Sequence, residues 1–162
     1  MYRAGILTVS DRGARGERED VSGKVIAEML AGISIEVAAY DIVPDEEDRI
    51  AAKILEFVDV RNLDLVITTG GTGVSPRDVT PEATRRIMDR EIPGMAEAMR
   101  QESAHKTPHA MLSRAVAAIR KKSLIINLPG SPKGVRENFQ AILPALEHAL
   151  EKIKGSEREC AP

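Results

Sequence analysis

The chain has 162 residues, 43% of them hydrophobic and 30% charged, which is the length and balance of one folded domain and excludes a disordered or fibrous protein. Its 23 Lys and Arg stand against 25 Asp and Glu, a formal charge of −2, and aromatics make up 2% with no Trp, so the basic surface and stacking platforms of a nucleic-acid binder are missing. Cys160, the single cysteine, lies in a polar tail and can build neither an internal disulfide nor a thiolate metal site, and no apolar run approaches a membrane span.

In chain order, Tyr2 to Ser10 is an apolar run with β-branched residues, the pattern of a strand buried on both faces. It starts with no charged leader ahead of it, so a reducing, cytoplasmic setting is expected. The stretch from Asp11 to Asp20 is polar and glycine-punctuated and reads as a mobile loop. From Val21, Val25, Ile26, Met29 and Leu30 trace a helix face. Ile33 to Val43 reads as a second strand, stopped by Pro44, and Ile50, Ile54, Leu55 and Val58 mark a second helix with Asp45, Glu46 and Glu47 at its N-terminus.

Leu63 to Thr69 is a third strand. Thr80 then reads as an N-cap, with Pro81 and Glu82 in the first turn of a helix to about Arg90. Gly94 to about Lys106 is a further helix. Val116–Ile119 and Ser123–Leu128 flank a basic turn at Lys121 and Lys122 as two short strands. Val135, Phe139, Ile142, Leu146, Leu150 and Ile153 define a long amphipathic stretch that Pro144 either kinks or divides. A domain over 1–154 and a polar tail over 155–162 are expected. Strands alternating with helices predict an α/β fold, a three-layer α/β/α sandwich with a mainly parallel sheet and a short antiparallel edge.

Ligands of such sheets bind at the carboxyl ends of the strands. Two unusual turns fall there: Gly70, Gly71, Thr72 and Gly73 after the third strand, and Pro129, Gly130, Ser131, Pro132, Lys133 and Gly134 after the last. Bare peptide nitrogens can face an anion, and Ser131 can cap a helix whose positive end, with Lys133, favours phosphate. Both turns have an ordinary use as strand-to-helix connections too. Neither matches the P-loop or dinucleotide fingerprint.

Asp45 and Asp78 are hard oxygen donors at the same edge and suit Mg²⁺, although Asp45 can equally serve its helix and Asp78 can pair with Arg77. Ser10 and Asp11 end the first strand there and either line a pocket or satisfy a turn. Glu82 reads as a helix-terminus acid, and Ser113 and Arg114, just ahead of a strand, read as surface capping residues or as groups that reach a neighbouring subunit. His105, His109 and His148 form no metal motif.

Taken together, "ILTVSDR", "VPDE", "TTGGTG", "SPRDVTPEAT", "AMLSRAVAAIR" and "LPGSPKG", in this order from about Ile6 to Lys154, resemble the molybdopterin adenylyltransferases of the MogA type, the G domain of plant and animal homologues. The resemblance implies a homotrimer that uses Mg²⁺ and transfers AMP from ATP to molybdopterin in molybdenum-cofactor synthesis, with the molybdenum-insertion protein of the same pathway as a partner. It implies that Asp45 and Asp78 are catalytic, metal-associated acids. Thr69, Gly70, Gly71, Thr72, Gly73 and Ser75 would hold the adenylyl and phosphate groups. Pro129, Gly130, Ser131 and Lys133 would complete the pocket, and Ser10 and Asp11 would line its pterin side. At Ser131 the adenylylating members often carry Asn or Gln, and Ser occurs in the related MoaB branch, which leaves a non-catalytic molybdopterin-binding or scaffolding protein as the alternative.

Overall fold

Three parallel strands, β1 (Arg3–Val9), β3 (Leu65–Thr69) and β6 (Ser123–Leu128), form the centre of the sheet in the computed structural model, which describes residues 1–157. Apart from Arg3 they are buried along their whole length, which is why they read as apolar runs without alternation. β2 (Glu36–Val43) pairs parallel to β1. On the other side β5 (Ala117–Arg120) and the two-residue β4 (Arg90–Glu91) add antiparallel strands, giving the order β2-β1-β3-β6-β5-β4.

Helices cover both faces. One face carries α2 (Val21–Ala31), α5 (Pro93–Ala104) and α6 (Pro132–Ile153), whose Val25, Ile26, Met99, Phe139, Ile142 and Leu146 pack on Ile6, Ile67 and Ile126. The other carries α3 (Glu47–Leu55) and α4 (Thr80–Ile87), whose Ile50, Ile54, Ala83 and Ile87 pack with Phe57 on Leu7, Val66 and Ile125. This is the expected three-layer arrangement with an antiparallel edge.

Several local expectations are corrected. The segment read as a loop from Asp11 to Asp20 begins with a helical turn, α1 (Asp11–Ala14), capped by the Ser10 side chain, which accepts from the Gly13 N–H at 3.0 Å. The second strand starts at Glu36 rather than Ile33, because α2 runs to Ala31 and Ser34 takes a positive φ of 60° to reverse the chain. Val58 belongs to a π-helical turn, Glu56–Val60, beyond the end of α3. Thr80 is not the N-cap of α4: Val79 holds that place, and the Thr80 hydroxyl donates instead to the Gly70 carbonyl at 2.9 Å. That helix ends at Ile87, which frees Arg90 and Glu91 to pair with β5.

Pro144 does not divide α6, which is continuous over 22 residues. Pro144 and Gln140 are both exposed, so water can take the carbonyl that loses its intrahelical partner. A helix-interior proline costs about 3 kcal/mol relative to alanine, and the entropy that proline removes from the unfolded chain returns up to about 1 kcal/mol. Pro144→Ala is therefore expected to stabilise the fold by about 2 kcal/mol, read as a higher urea midpoint with an unchanged m-value; an unchanged midpoint would mean the helix has already absorbed the proline.

Candidate active site

At the carboxyl edge of the sheet the two glycine-marked turns lie against each other. Thr69 ends β3 and its hydroxyl donates to the Pro129 carbonyl at 2.7 Å, while the Gly70 N–H donates to the Leu128 carbonyl at 3.1 Å. A Cβ on Gly130 would sit 3.5 Å from the Gly70 Cα. Distant parts of the sequence thus meet within one protomer.

The glycine requirement is set first by the chain itself. Gly70 has φ +97°, and a Cβ there would stand 2.3 Å from the Val9 carbonyl oxygen. Gly71 has φ +68°, with Thr80 Oγ1 2.4 Å and Asp45 Oδ1 3.3 Å from the place of its missing Cβ. Any side chain would collide with β1 or with the start of α4, and would displace Asp45.

The carboxylates are arranged around this edge. Asp45 follows Pro44 at the end of β2 and exchanges bonds with Asp11: Asp45 Oδ2 accepts from the Asp11 N–H at 2.8 Å, and Asp11 Oδ1 accepts from the Asp45 N–H at 3.0 Å. Arg77 grips the Asp11 carboxylate at 2.9 and 2.8 Å. It does not pair with Asp78, because the loop projects it toward β1 instead. The Arg77 hydrogen bonds hold the Asp11 carboxyl below the usual aspartate range. Asp45 is shifted up, first by burial and then by the negative charges of Asp11 and Asp78. Asp78 Oδ2 accepts from the Ser75 N–H at 2.9 Å, which folds this carboxylate back over its own loop.

Two clefts open beside the turns. The larger, about 530 Å³, lies between Thr72, Gly73, Pro129, Ser131 and Lys133 on one side and α5 with the 3-10 turn Pro108–Leu112 on the other. The second, about 370 Å³, is lined by Ser10, Asp45, Thr69, Gly70, Gly130 and Ser131, with Asp20 and Ser22 from the start of α2. Ser131 borders both. It caps α6 by accepting from the Gly134 N–H at 3.0 Å, and Pro132 is the first helical residue, as the sequence predicts. Lys133 is 82% exposed, and its Nζ stands 3.8 Å from Glu137. Asp11, Gly71, Ser75 and Asp78 line neither cleft.

Several lining groups were not singled out from the sequence. Arg100, Lys106 and Asn138 enter the larger cleft from positions with no local signature. Asp20 does have one: it directly precedes the apolar periodicity of α2 and caps it, accepting from the Gly23 N–H at 2.9 Å. Its other oxygen accepts from Thr8 Oγ1 at 2.6 Å and from the Tyr40 hydroxyl, and burial together with that carboxylate pushes the Tyr40 phenol up. Among the described residues no cluster of three or more His, Cys, Asp or Glu is arranged to hold a metal, and no helix is long and apolar enough to cross a membrane.

Residues 5–148 match the family described as a probable molybdopterin binding domain. The chain belongs to that family. Among curated relatives, the molybdopterin adenylyltransferase of Helicobacter pylori strain J99 is 46% identical over 154 residues, covering 94% of this chain and 88% of its own. The molybdopterin adenylyltransferase of Escherichia coli K12 is 42% identical over 145 residues, 88% of this chain and 74% of its own. Among solved structures, the molybdopterin biosynthesis enzyme MoaB from Thermus thermophilus superposes with a TM-score of 0.91 at 56% identity, covering 96% of this chain and 98% of its own.

The raised pKa of Asp45 has a defined consequence for the free protein. Protons bind this carboxyl more tightly in the folded than in the unfolded chain, so its contribution to stability is complete below the ordinary aspartate value of 3.8 and is lost as pH rises through the raised value. Asp45→Asn removes that loss. In a chelator-containing buffer the variant is expected to melt above the unsubstituted protein at about pH 7 and together with it at about pH 3; a variant that melts lower at neutral pH would show that the charge is favourable where it sits.

Proposed function

We propose that this domain is a Mg²⁺-dependent nucleotidyltransferase that moves AMP from ATP to the terminal phosphate of molybdopterin and releases pyrophosphate, in molybdenum-cofactor biosynthesis. The observation that carries the reading is the meeting of the two glycine-marked turns at Thr69–Gly70 and Pro129–Gly130, between two clefts that Ser131 borders, with Asp45 on the wall of one of them and Asp78 on the loop that follows the first turn. Relatives named molybdopterin adenylyltransferase match over most of the chain and support the same reaction.

The chemistry asks for positioning and charge neutralisation, not a nucleophile from the protein. A phosphate oxygen of molybdopterin bonds to the α-phosphorus of ATP as the bond to the bridging oxygen breaks, and that oxygen leaves on pyrophosphate. The start of α6 offers amide donors at a positive helix end, and Lys133 adds a mobile charge. Thr69, Gly70, Thr72, Gly73, Pro129 and Gly130 shape the walls against which the phosphates lie, Gly71 and Ser75 hold the form of the first turn and its loop, Ser10 lines the pterin side, and Asp11 supports that side through its bonds with Asp45.

Asp45 and Asp78 fit Mg²⁺: their donors are carboxylate oxygens, and the like charges of Asp11 and Asp78 that raise Asp45 would be relieved by a cation. When bound, the ion supplies neutralisation of phosphate charge. The reading extends to a cytoplasmic homotrimer, supported by exposed Val74, Met111 and Leu112 beside the larger cleft, an apolar surface of the kind a neighbouring subunit covers, and to docking on the molybdenum-insertion protein.

Incubation with molybdopterin, ATP and Mg²⁺ is expected to give adenylylated molybdopterin and pyrophosphate. Asp78→Asn should slow product formation by about 10²-fold or more without lowering the melting transition, and chelation should stop it until Mg²⁺ is returned. Intact protein that binds molybdopterin yet forms no product would favour a scaffolding role.

A further inference from the structure

Arg114 lies between the 3-10 turn and β5, far in sequence from the first glycine turn, and every nitrogen of its guanidinium is engaged. Nε donates to the Gly73 carbonyl at 2.7 Å and Nη2 to the Asp78 carbonyl at 2.7 Å. Nη1 donates to both Glu82 oxygens, at 2.7 and 2.9 Å. Its own backbone N–H donates to the Thr72 carbonyl at 2.8 Å. One residue therefore grips the loop at residue 73, at residue 78 and at the first turn of α4 beyond it.

Between those anchors Val74, Ser75, Pro76 and Arg77 are all exposed, so the loop has no core of its own to fix its shape. Within it, the Ser75 N–H reaches Asp78 Oδ2 and the Asp78 N–H reaches the Ser75 carbonyl, a turn whose form depends on the spacing of its ends. The Arg114 and Glu82 side chains are 38% and 41% exposed, an ion pair that adds little to global stability. What a planar fork does supply is direction: two carbonyls held by one rigid group cannot drift apart, and Glu82 fixes the plane of that group.

We propose that Arg114 is a positioning residue for AMP transfer, acting through the Gly73 and Asp78 carbonyls to hold the Asp78 carboxylate in place; this rests on the reading of Asp78 given above. Arg114 touches no reacting group itself. Lysine cannot replace it, because a single ammonium does not span both carbonyls and Glu82.

The test compares Arg114→Ala, Arg114→Lys and Glu82→Gln with the unsubstituted protein by amide hydrogen exchange over 73–78 and by AMP-transfer kinetics. In Arg114→Ala the Ser75 and Asp78 amides are expected to exchange about tenfold faster or more, kcat to fall about tenfold or more, and the KM for molybdopterin to stay within about threefold. Methylguanidinium is expected to restore part of the lost rate in that variant and to leave the unsubstituted protein unaffected. Arg114→Lys should resemble Arg114→Ala, Glu82→Gln should fall between, and Arg114→Ala should cost nothing further in an Asp78→Asn background.

Unchanged exchange, an unchanged kcat, or an equal further loss on top of Asp78→Asn would each overturn the proposal. If Arg114→Ala does not fold, Arg114→Lys and Glu82→Gln carry the same readouts. With an unsubstituted protein that makes no product, the exchange data alone decide whether Arg114 holds the loop, and the missing activity counts against the adenylyl-transfer reading only.

Discussion

The hydrogen bond from the Thr69 hydroxyl to the Pro129 carbonyl joins two turns that lie 60 residues apart, and the candidate site depends on it. It is possible because β3 and β6 run parallel in register, Thr69 opposite Leu128, so that both chains leave the sheet at the same level. Gly70 then passes so close to the Val9 carbonyl that β1 ends at that level too. Once three strand ends are fixed this tightly, the groups that follow them, Ser10 and Asp11, Gly71, and Ser131, have little freedom in where they can be.

Electrostatics adds a second layer of constraint. Asp11, Asp45 and Asp78 are brought to one edge, and Arg77 answers the charge of Asp11 while Asp45 is pushed up by burial and then by the charges of Asp11 and Asp78. The fold thus keeps a carboxylate whose charge it does not favour, a condition typical of sites built for a cation or a proton. Arg114 serves the same edge differently, through carbonyl oxygens rather than through charge on the acids.

Much of this was legible from the residues. The buried strands announce themselves as unalternating apolar runs, and Ser131 followed by Pro132 marks a helix start by mechanisms that are local. What escaped was decided by tertiary contact. Thr80 looks like a cap but is recruited by the Gly70 carbonyl, and Arg77 stands beside Asp78 in sequence yet pairs across space with Asp11. Arg114 reads from its immediate neighbours only as a capping or subunit-contact residue, since its side-chain partners lie on α4 and on the loop that precedes it. Glycine-rich sequence rightly pointed to close approach, but at Gly70 and Gly71 the approaching atoms belong to the protein's own backbone and side chains.

Ser131 stands as the partition between two chambers, and its oxygen is already committed to the α6 amide of Gly134. Among the described residues its hydroxyl proton has no acceptor, so the dividing wall can donate toward a guest on either side but not toward both at once.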